Sequence, residues 1–391
     1  MKNIINENSL VSKSRIKISI LSSNLSENCL GRAYILAKIL SKRFDVEILG
    51  PMIGKGIWVP LKNDSTIKYT ILPLSIINLF RIIRKINGDI IYAIKPVMTS
   101  FGYGLIKKVI NNKPLILDID DWELGFLLDY SKWDMIKSCL AFWDANNLFY
   151  TYLLERLVKF ADYSTTSSIF LQKKFGGILI PHARDTDIFD PKRYDRTKFR
   201  DKFEVRTKKV VMFLGTIRKH KGIDNLIDAI DLLKDEDIIL MLVGVDFNDP
   251  YIKKLIGQSK NYIKFIGQQP FEKIPEFLSA ADLVVLPQKE TYSARGQVPV
   301  KVFDAMMMEK PIIATNISDL PQILKDCGII IEPANIELLA EKIKFVFDNP
   351  EIARDLGIRA RKKCIKEYSF VSLQEQLFSL FDQCYIESKN K

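Results

Sequence analysis

The chain has 391 residues, 47% of them hydrophobic and 27% charged. That is long for one domain and suits two, each burying its own core, and the composition excludes a disordered or fibrous chain. The net charge of +11 sits almost wholly in the first half: residues 1–205 hold 31 Lys and Arg against 21 Asp and Glu, residues 206–391 hold 27 against 26. A basic half suits an acidic surface or ligand (anionic lipid, nucleic acid or phosphate), and a solvated lysine-rich surface reads as well. Five cysteines, Cys29, Cys139, Cys327, Cys364 and Cys384, are scattered without a C-x-x-C pair. Their pattern argues for a reducing compartment and against a disulfide framework or zinc site. The first fifteen residues lack the apolar core of a secretion signal, and no run of about 20 apolar residues free of charge predicts a spanning helix.

In chain order, "IKISIL" (16–21) predicts a buried strand, "SSNLSENCLG" a loop, "RAYILAKILSKRF" a helix and "DVEILG" the next strand. That is a βαβ opening. "DIIYAIK" (89–95), "PLILDID" (114–120), "ADYSTTS" and "GGILIP" continue the strands to residue 181. The alternation restarts with "KKVVMFLG", "DIILMLVGV", "DLVVLP" and "KPIIATN", interleaved with helical patterns, and closes on two helices. Two βα series predict two doubly wound α/β domains with parallel sheets, the first over residues 1–190 and the second over 206–369. A polar, proline-marked segment at 191–205 is expected to link them. Ligands of such a pair bind beyond the carboxyl ends of the strands, in the cleft between the domains.

The stretch "GTIRKHKG" (215–222) lies between a strand and a helix. Its glycines permit a tight turn, a helix start offers free N–H groups, and Arg218 and Lys221 add full charges. Arginine grips phosphate bidentately and lysine as a point charge, so a diphosphate is the expected anion, with a solvated basic turn as the alternative. Neither G-x-x-x-x-G-K-[ST] nor G-x-G-x-x-G is present.

Several stretches then fall into one order. "FLGTIRKHKGIDNLIDAI", "ILIPHARDTDIFDP", "IKFIGQQPFEKIPEFLSAADLVVLP" and "GQVPVKVFDAMMMEKPIIATNISDLPQIL" resemble, in sequence, the G-T-x-R-x-x-K-G turn, inter-domain element, "v-x-f-x-G" segment and donor segment of the large E-x7-E family of retaining glycosyltransferases with the GT-B fold. The resemblance implies two Rossmann-like domains facing a cleft and a nucleoside-diphosphate-sugar donor held mainly by the second. It also implies a last helix (370–391) that crosses back to the first. By position it puts Gly215, Thr216, Arg218, Lys221, Ile266, Gln297, Val298, Pro299 and Gly31 at the donor, with Arg218 and Lys221 neutralising its diphosphate and no metal or other cofactor needed. Asp304 falls where that family's second motif glutamate grips the ribose. The first motif glutamate would lie at Gly296, which offers no carboxylate; a remodelled loop with Gln297, or Glu290 reaching in, are the alternatives, and a site that binds without transferring is a third.

Asp120, Asp121 and Trp122, in "LDIDDWELG", occupy the acceptor side, where the family often has His-Asp. Asp121 is the candidate for orienting or deprotonating an acceptor hydroxyl; a structural role and a metal site remain alternatives. His182 replaces the family's usual Asn. Residues 126–160, rich in aromatics and leucine with Lys132, Lys137, Arg156 and Lys159, suit either an anionic membrane surface or an ordinary buried helical pair. The expected function is sugar transfer to a glycan or lipid-linked acceptor in the cytoplasm, at the inner face of the cell membrane, for envelope polysaccharide or lipopolysaccharide. An epimerase on the same scaffold and a non-catalytic nucleotide-sugar-binding partner are the rivals. No RNA-recognition, KH or zinc-finger signature supports nucleic acid.

Overall fold

A computed structural model describes residues 15–74, 76–141, 144–258 and 260–390. The first fourteen residues of the expected first domain, including most of the segment read for a secretion signal, lie outside the described residues. So do positions 142 and 143 of the aromatic stretch.

The first sheet contains β1 (Lys17–Leu21), β2 (Asp45–Pro51), β3 (Lys68–Leu72), β4 (Ile90–Ile94), β5 (Leu115–Ile119), β6 (Tyr163–Thr166) and β7 (Ile178–Leu179). Its order is β3-β2-β1-β4-β5-β6-β7, and every pairing is parallel. The second sheet contains β8 (Lys209–Leu214), β9 (Ile238–Val245), β10 (Ile263–Gly267), β11 (Leu283–Leu286), β12 (Ile312–Thr315) and β13 (Ile329–Ile331). Its order is β10-β9-β8-β11-β12-β13, again all parallel. Both are doubly wound, as the alternation predicts. Helices cover both faces, so the central strands are continuous apolar runs: all five residues of β4 and of β5 are buried. The strand order reverses between β1 and β4, and between β8 and β11. Loops leaving the carboxyl ends of those strands diverge and open a crevice.

Each sheet has a separate apolar cluster on either face. The last helix, Phe370–Lys389, starts from a reciprocal Ser369/Ser372 capping box. It joins the first domain's core, where Phe381 meets Tyr92 of β4 edge-on at 5.1 Å. The expected linker differs from the prediction. It holds a helix, Arg196–Lys202, packed against the helix Ile274–Ala280 of the second domain. Phe203 stacks on Phe277 at 4.8 Å, and Arg200 donates to Ala280 O at 2.9 Å and to Asp282 at 3.0 Å. Of the segment's charged residues Arg200 is buried by these bonds, and the others, Lys192, Arg193 and Lys198 among them, stay exposed.

Candidate active site

The two sets of strand ends enclose a cleft of about 440 Å³. On the second domain it is walled by the turn after β8. Gly215 (φ +128°) and Gly222 (φ +70°) take backbone conformations that L side chains rarely adopt. A Cβ at Gly222 would lie 1.9 Å from Pro287 O, so the corner admits nothing larger. Between them Lys219–Lys221 form a single 3-10 turn, from which the helix Ile223–Leu233 starts. Arg218 and Lys221 both line the cleft. Burial, and then the neighbouring Arg218, lower the Lys221 ammonium to about 8 despite the attraction of Asp121. Its Nζ donates to Gln297 Oε1. His220 packs edge-on to Phe126 at 6.2 Å, and burial followed by the adjacent Lys221 and Arg218 holds it near 3. His220 is therefore uncharged at neutral pH and adds nothing to the positive charge of the turn.

The first domain answers with acids. Asp118 is structural: it accepts from Arg32 at 2.8 and 2.9 Å and from Thr165 at 2.7 Å, fully buried. At the end of β4, Lys95 adopts φ +73°, a conformation that costs a non-glycine residue about 1–3 kcal/mol. The return is electrostatic. Its Nζ lies 2.5 Å from Asp121, 2.6 Å from Glu123 and 3.5 Å from Asp120. Burial disfavours the charge of Asp121, yet Lys95 and a 3.0 Å bond from Gln297 Nε2 outweigh it and hold the carboxyl below its ordinary range. Asp120 is the opposite case. Burial outweighs the same lysine and raises it to about 7. Its Oδ1 accepts no hydrogen bond although it is buried in the cleft wall.

The segment that lacks the motif glutamate is built against the first domain. The short helix Tyr292–Arg295 is capped by Thr291 and also by Asp129, whose two oxygens accept from Tyr292 N and Ser293 N at 2.9 Å each. Gly296 has ordinary dihedrals (φ −89°, ψ 4°). A Cβ there would nonetheless lie 2.3 Å from Trp122 Cβ. Trp122 N donates to Gly296 O at 3.2 Å, and Asp121 and Gln297 form an antiparallel bridge. Gly296 is thus a contact point between domains, and Gln297 is the side chain that links Lys221 to Asp121.

Gly31, Gly215, Thr216, Arg218, Lys221, Asp120, Asp121, Gln297, Val298 and Pro299 all line the cleft. Four expected residues are placed elsewhere. Asp304 is fully buried and held by Arg184 and, at 3.3 Å, by Lys301. It lies one layer behind the cleft wall: its partners Arg184 and Lys301 line the cleft, and Asp304 itself does not. Ile266 packs into the second domain's core, and its neighbours Gln268 and Gln269 line the cleft instead. Glu290 is an exposed partner of Arg295 at 2.5 Å and does not line the cleft. Trp122 packs on Phe170 and Tyr292 and donates to Glu155 at 3.2 Å.

Sequence reasoning missed Lys95, Glu123 and Gln288. Lys95 and Gln288 end or closely follow predicted strands, the location the strand-end rule already marked. Both amide atoms of buried Gln288 lack a hydrogen-bond partner, as does Nδ1 of His182, which burial and then Arg32 hold well below its ordinary range. Unpaired buried polar atoms are costly unless a ligand completes them. Asp120, His182 and Gln288 each bring one or more to this cleft.

Comparison with known proteins agrees with this geometry. Residues 195–363 match the family Glycosyl transferases group 1. The chain is 24% identical over 192 residues to the alpha-D-kanosaminyltransferase of Streptomyces kanamyceticus, covering 48% of each chain. It is 25% identical to the O-antigen chain mannosyltransferase B of Escherichia coli over 36% of this chain and 38% of that one. The matched region spans about half or less of the length of these curated relatives. In structure, Alr3699/HepE from Anabaena, solved with UDP and glucose, superposes with a TM-score of 0.76 at 19% identity over 94% of this chain and 99% of its own. That likeness shows the GT-B fold over the superposed part of the chain. The cationic turn of the cleft lies within the matched segment, so the second domain is a glycosyl transferases group 1 domain.

Proposed function

We propose that this chain transfers a sugar from a nucleoside-diphosphate sugar to a hydroxyl of a glycan or lipid-linked acceptor, in the assembly of envelope polysaccharide or lipopolysaccharide. The observation that carries the reading is the pairing of Arg218 and Lys221, at a helix start, with a buried Asp120 across the cleft. The acceptor oxygen bonds to the anomeric carbon as the bond from that carbon to the diphosphate oxygen breaks. The electron pair leaves with the diphosphate, and the hydroxyl proton passes to Asp120, which titrates near neutrality. Arg218 and Lys221 meet the charge that develops on the leaving group, the place where fixed cations accelerate most. They fill the role a divalent metal would otherwise take, so transfer without metal is part of the proposal. Retention of anomeric configuration rests on the family resemblance. The UDP and glucose bound to Alr3699/HepE favour a uridine diphosphate sugar here.

An anionic membrane surface on the inner face of the membrane is a proposed partner. The helix Lys132–Leu140 buries none of its side chains, and Trp133, Ile136 and Leu140 are 66, 51 and 60% exposed. That supports the surface reading over the buried pair for this helix. Among the described residues, no helix is long and apolar enough to cross a membrane.

The missing carboxylate at position 296 favours one second reading, a partner that binds nucleotide sugar without transferring it. Release of nucleoside diphosphate dependent on an acceptor separates the two. In the Arg218→Ala/Lys221→Ala double variant, turnover should fall at least about 100-fold. Near-normal turnover there would sink the mechanism.

A further inference from the structure

The segment that runs from β11 into the helix Lys301–Met307 sends the polar side chains of Gln288, Gln297 and Lys301 to the cleft. Two of the three are engaged within the protein. Gln297 is held by Lys221 on one side and by Asp121 on the other, and Lys301 pairs with Asp304 at 3.3 Å. Gln288 is not. It is 1% exposed, and neither its Oε1 nor its Nε2 has a hydrogen-bond partner among the described residues. A buried carboxamide unpaired at both ends destabilises the fold, unless a molecule bound in the cleft completes it.

The backbone on either side ties Gln288 to the cationic turn. Pro287 O closes against Gly222, and Lys289 N donates to His220 O at 2.9 Å. A group that binds Gln288 therefore lies next to whatever Arg218 and Lys221 hold. The anion itself does not fit the amide. Diphosphate oxygens only accept hydrogen bonds, so they would pair Nε2 and leave Oε1 facing negative charge. A hydroxyl both donates and accepts, and two vicinal hydroxyls satisfy both ends of one amide. In a nucleoside-diphosphate sugar, hydroxyls flank the diphosphate on the ribose and on the transferred sugar. The segment carrying Gln288 also reaches Asp121 through Gln297, next to the proposed base Asp120, where the reacting carbon has to lie. That favours the transferred sugar over the ribose.

We infer that Gln288 is a specificity residue for the donor sugar, its carboxamide donating to and accepting from free hydroxyls of the sugar to be transferred. The inference rests on the transferase reading and deepens it. Its probes are UDP, UDP-glucose, UDP-galactose and UDP-N-acetylglucosamine, titrated calorimetrically into the full chain. The UDP-sugar that the parent binds most tightly should lose about tenfold in affinity in Gln288→Leu, while UDP stays within about twofold. Leucine leaves no unpaired amide behind, so the ligand-free variant should melt at or above the parent's Tm. A variant that melts lower or does not fold makes Gln288 a structural residue and overturns the inference. Equal losses for UDP and the UDP-sugar assign the amide to the ribose and overturn it too. So does an unchanged UDP-sugar affinity, the result if water alone completes the amide. Failure of the parent to bind UDP would instead overturn the uridine-nucleotide reading beneath it.

Discussion

Gly296→Ala is the sharpest probe of how this site departs from its family. Nothing in the backbone demands glycine there, since φ is −89°. The demand is steric: the new Cβ would lie 2.3 Å from Trp122 Cβ and 3.3 Å from Trp122 Cα and N. Ordinary carbon contacts fall at about 3.5–4 Å, so the backbones must part by more than an ångström. No rotamer change of Trp122 moves those three atoms. Overpacking of this kind costs about 1–3 kcal/mol. The clash lies between domains, so separating them relieves it and neither core has to unfold. The expected result is a fall in kcat/KM of roughly 5- to 150-fold, at about 1.4 kcal/mol per factor of ten, with little change in Tm. Small-angle scattering of the ligand-free variant should show a larger radius of gyration. Restoring a glutamate at 296 should do more harm than alanine. A Gly296→Ala enzyme within twofold of the parent in kcat/KM, with unchanged scattering, would refute the reasoning.

The pH dependence of kcat/KM should be bell-shaped. Ionised Asp120 is required and is lost as pH falls below about 7; protonated Lys221 is required and is lost as pH rises above about 8. In Asp120→Asn the acidic limb should disappear, and its persistence would assign that limb to another group. Arg184→Ala leaves Asp304 buried with only Lys301 beside it, a loss of about 3 kcal/mol, the low end for a broken buried pair. Thermal melting should then drop by roughly 6–12 °C, and a change under 2 °C would contradict the pairing. Trp133→Ser/Leu140→Ser should weaken co-sedimentation with phosphatidylglycerol-containing vesicles without changing turnover of a soluble acceptor. Equal co-sedimentation of parent and variant would remove this helix from membrane docking.

Local pattern carried much of this protein's description. Apolar runs at β-strand spacing, interleaved with 3.6-period stretches, determine two parallel doubly wound sheets, because parallel strands need crossover helices and are buried on both faces. The glycine-bracketed turn with Arg218 and Lys221 was equally legible, since a strand–turn–helix corner is a local event. What only the tertiary structure decided were the long-range pairings. Asp304 and Arg184 lie 120 positions apart, so no local pattern could show that the carboxylate faces an arginine and not the cleft. Lys95 gathers Asp120, Asp121 and Glu123 from the neighbouring strand end, which sets one aspartate low and another near neutrality. Gly296 read in sequence as a lost glutamate. In three dimensions it is the only side chain small enough to let the second domain's loop rest on Trp122, a contact between residues 174 positions apart.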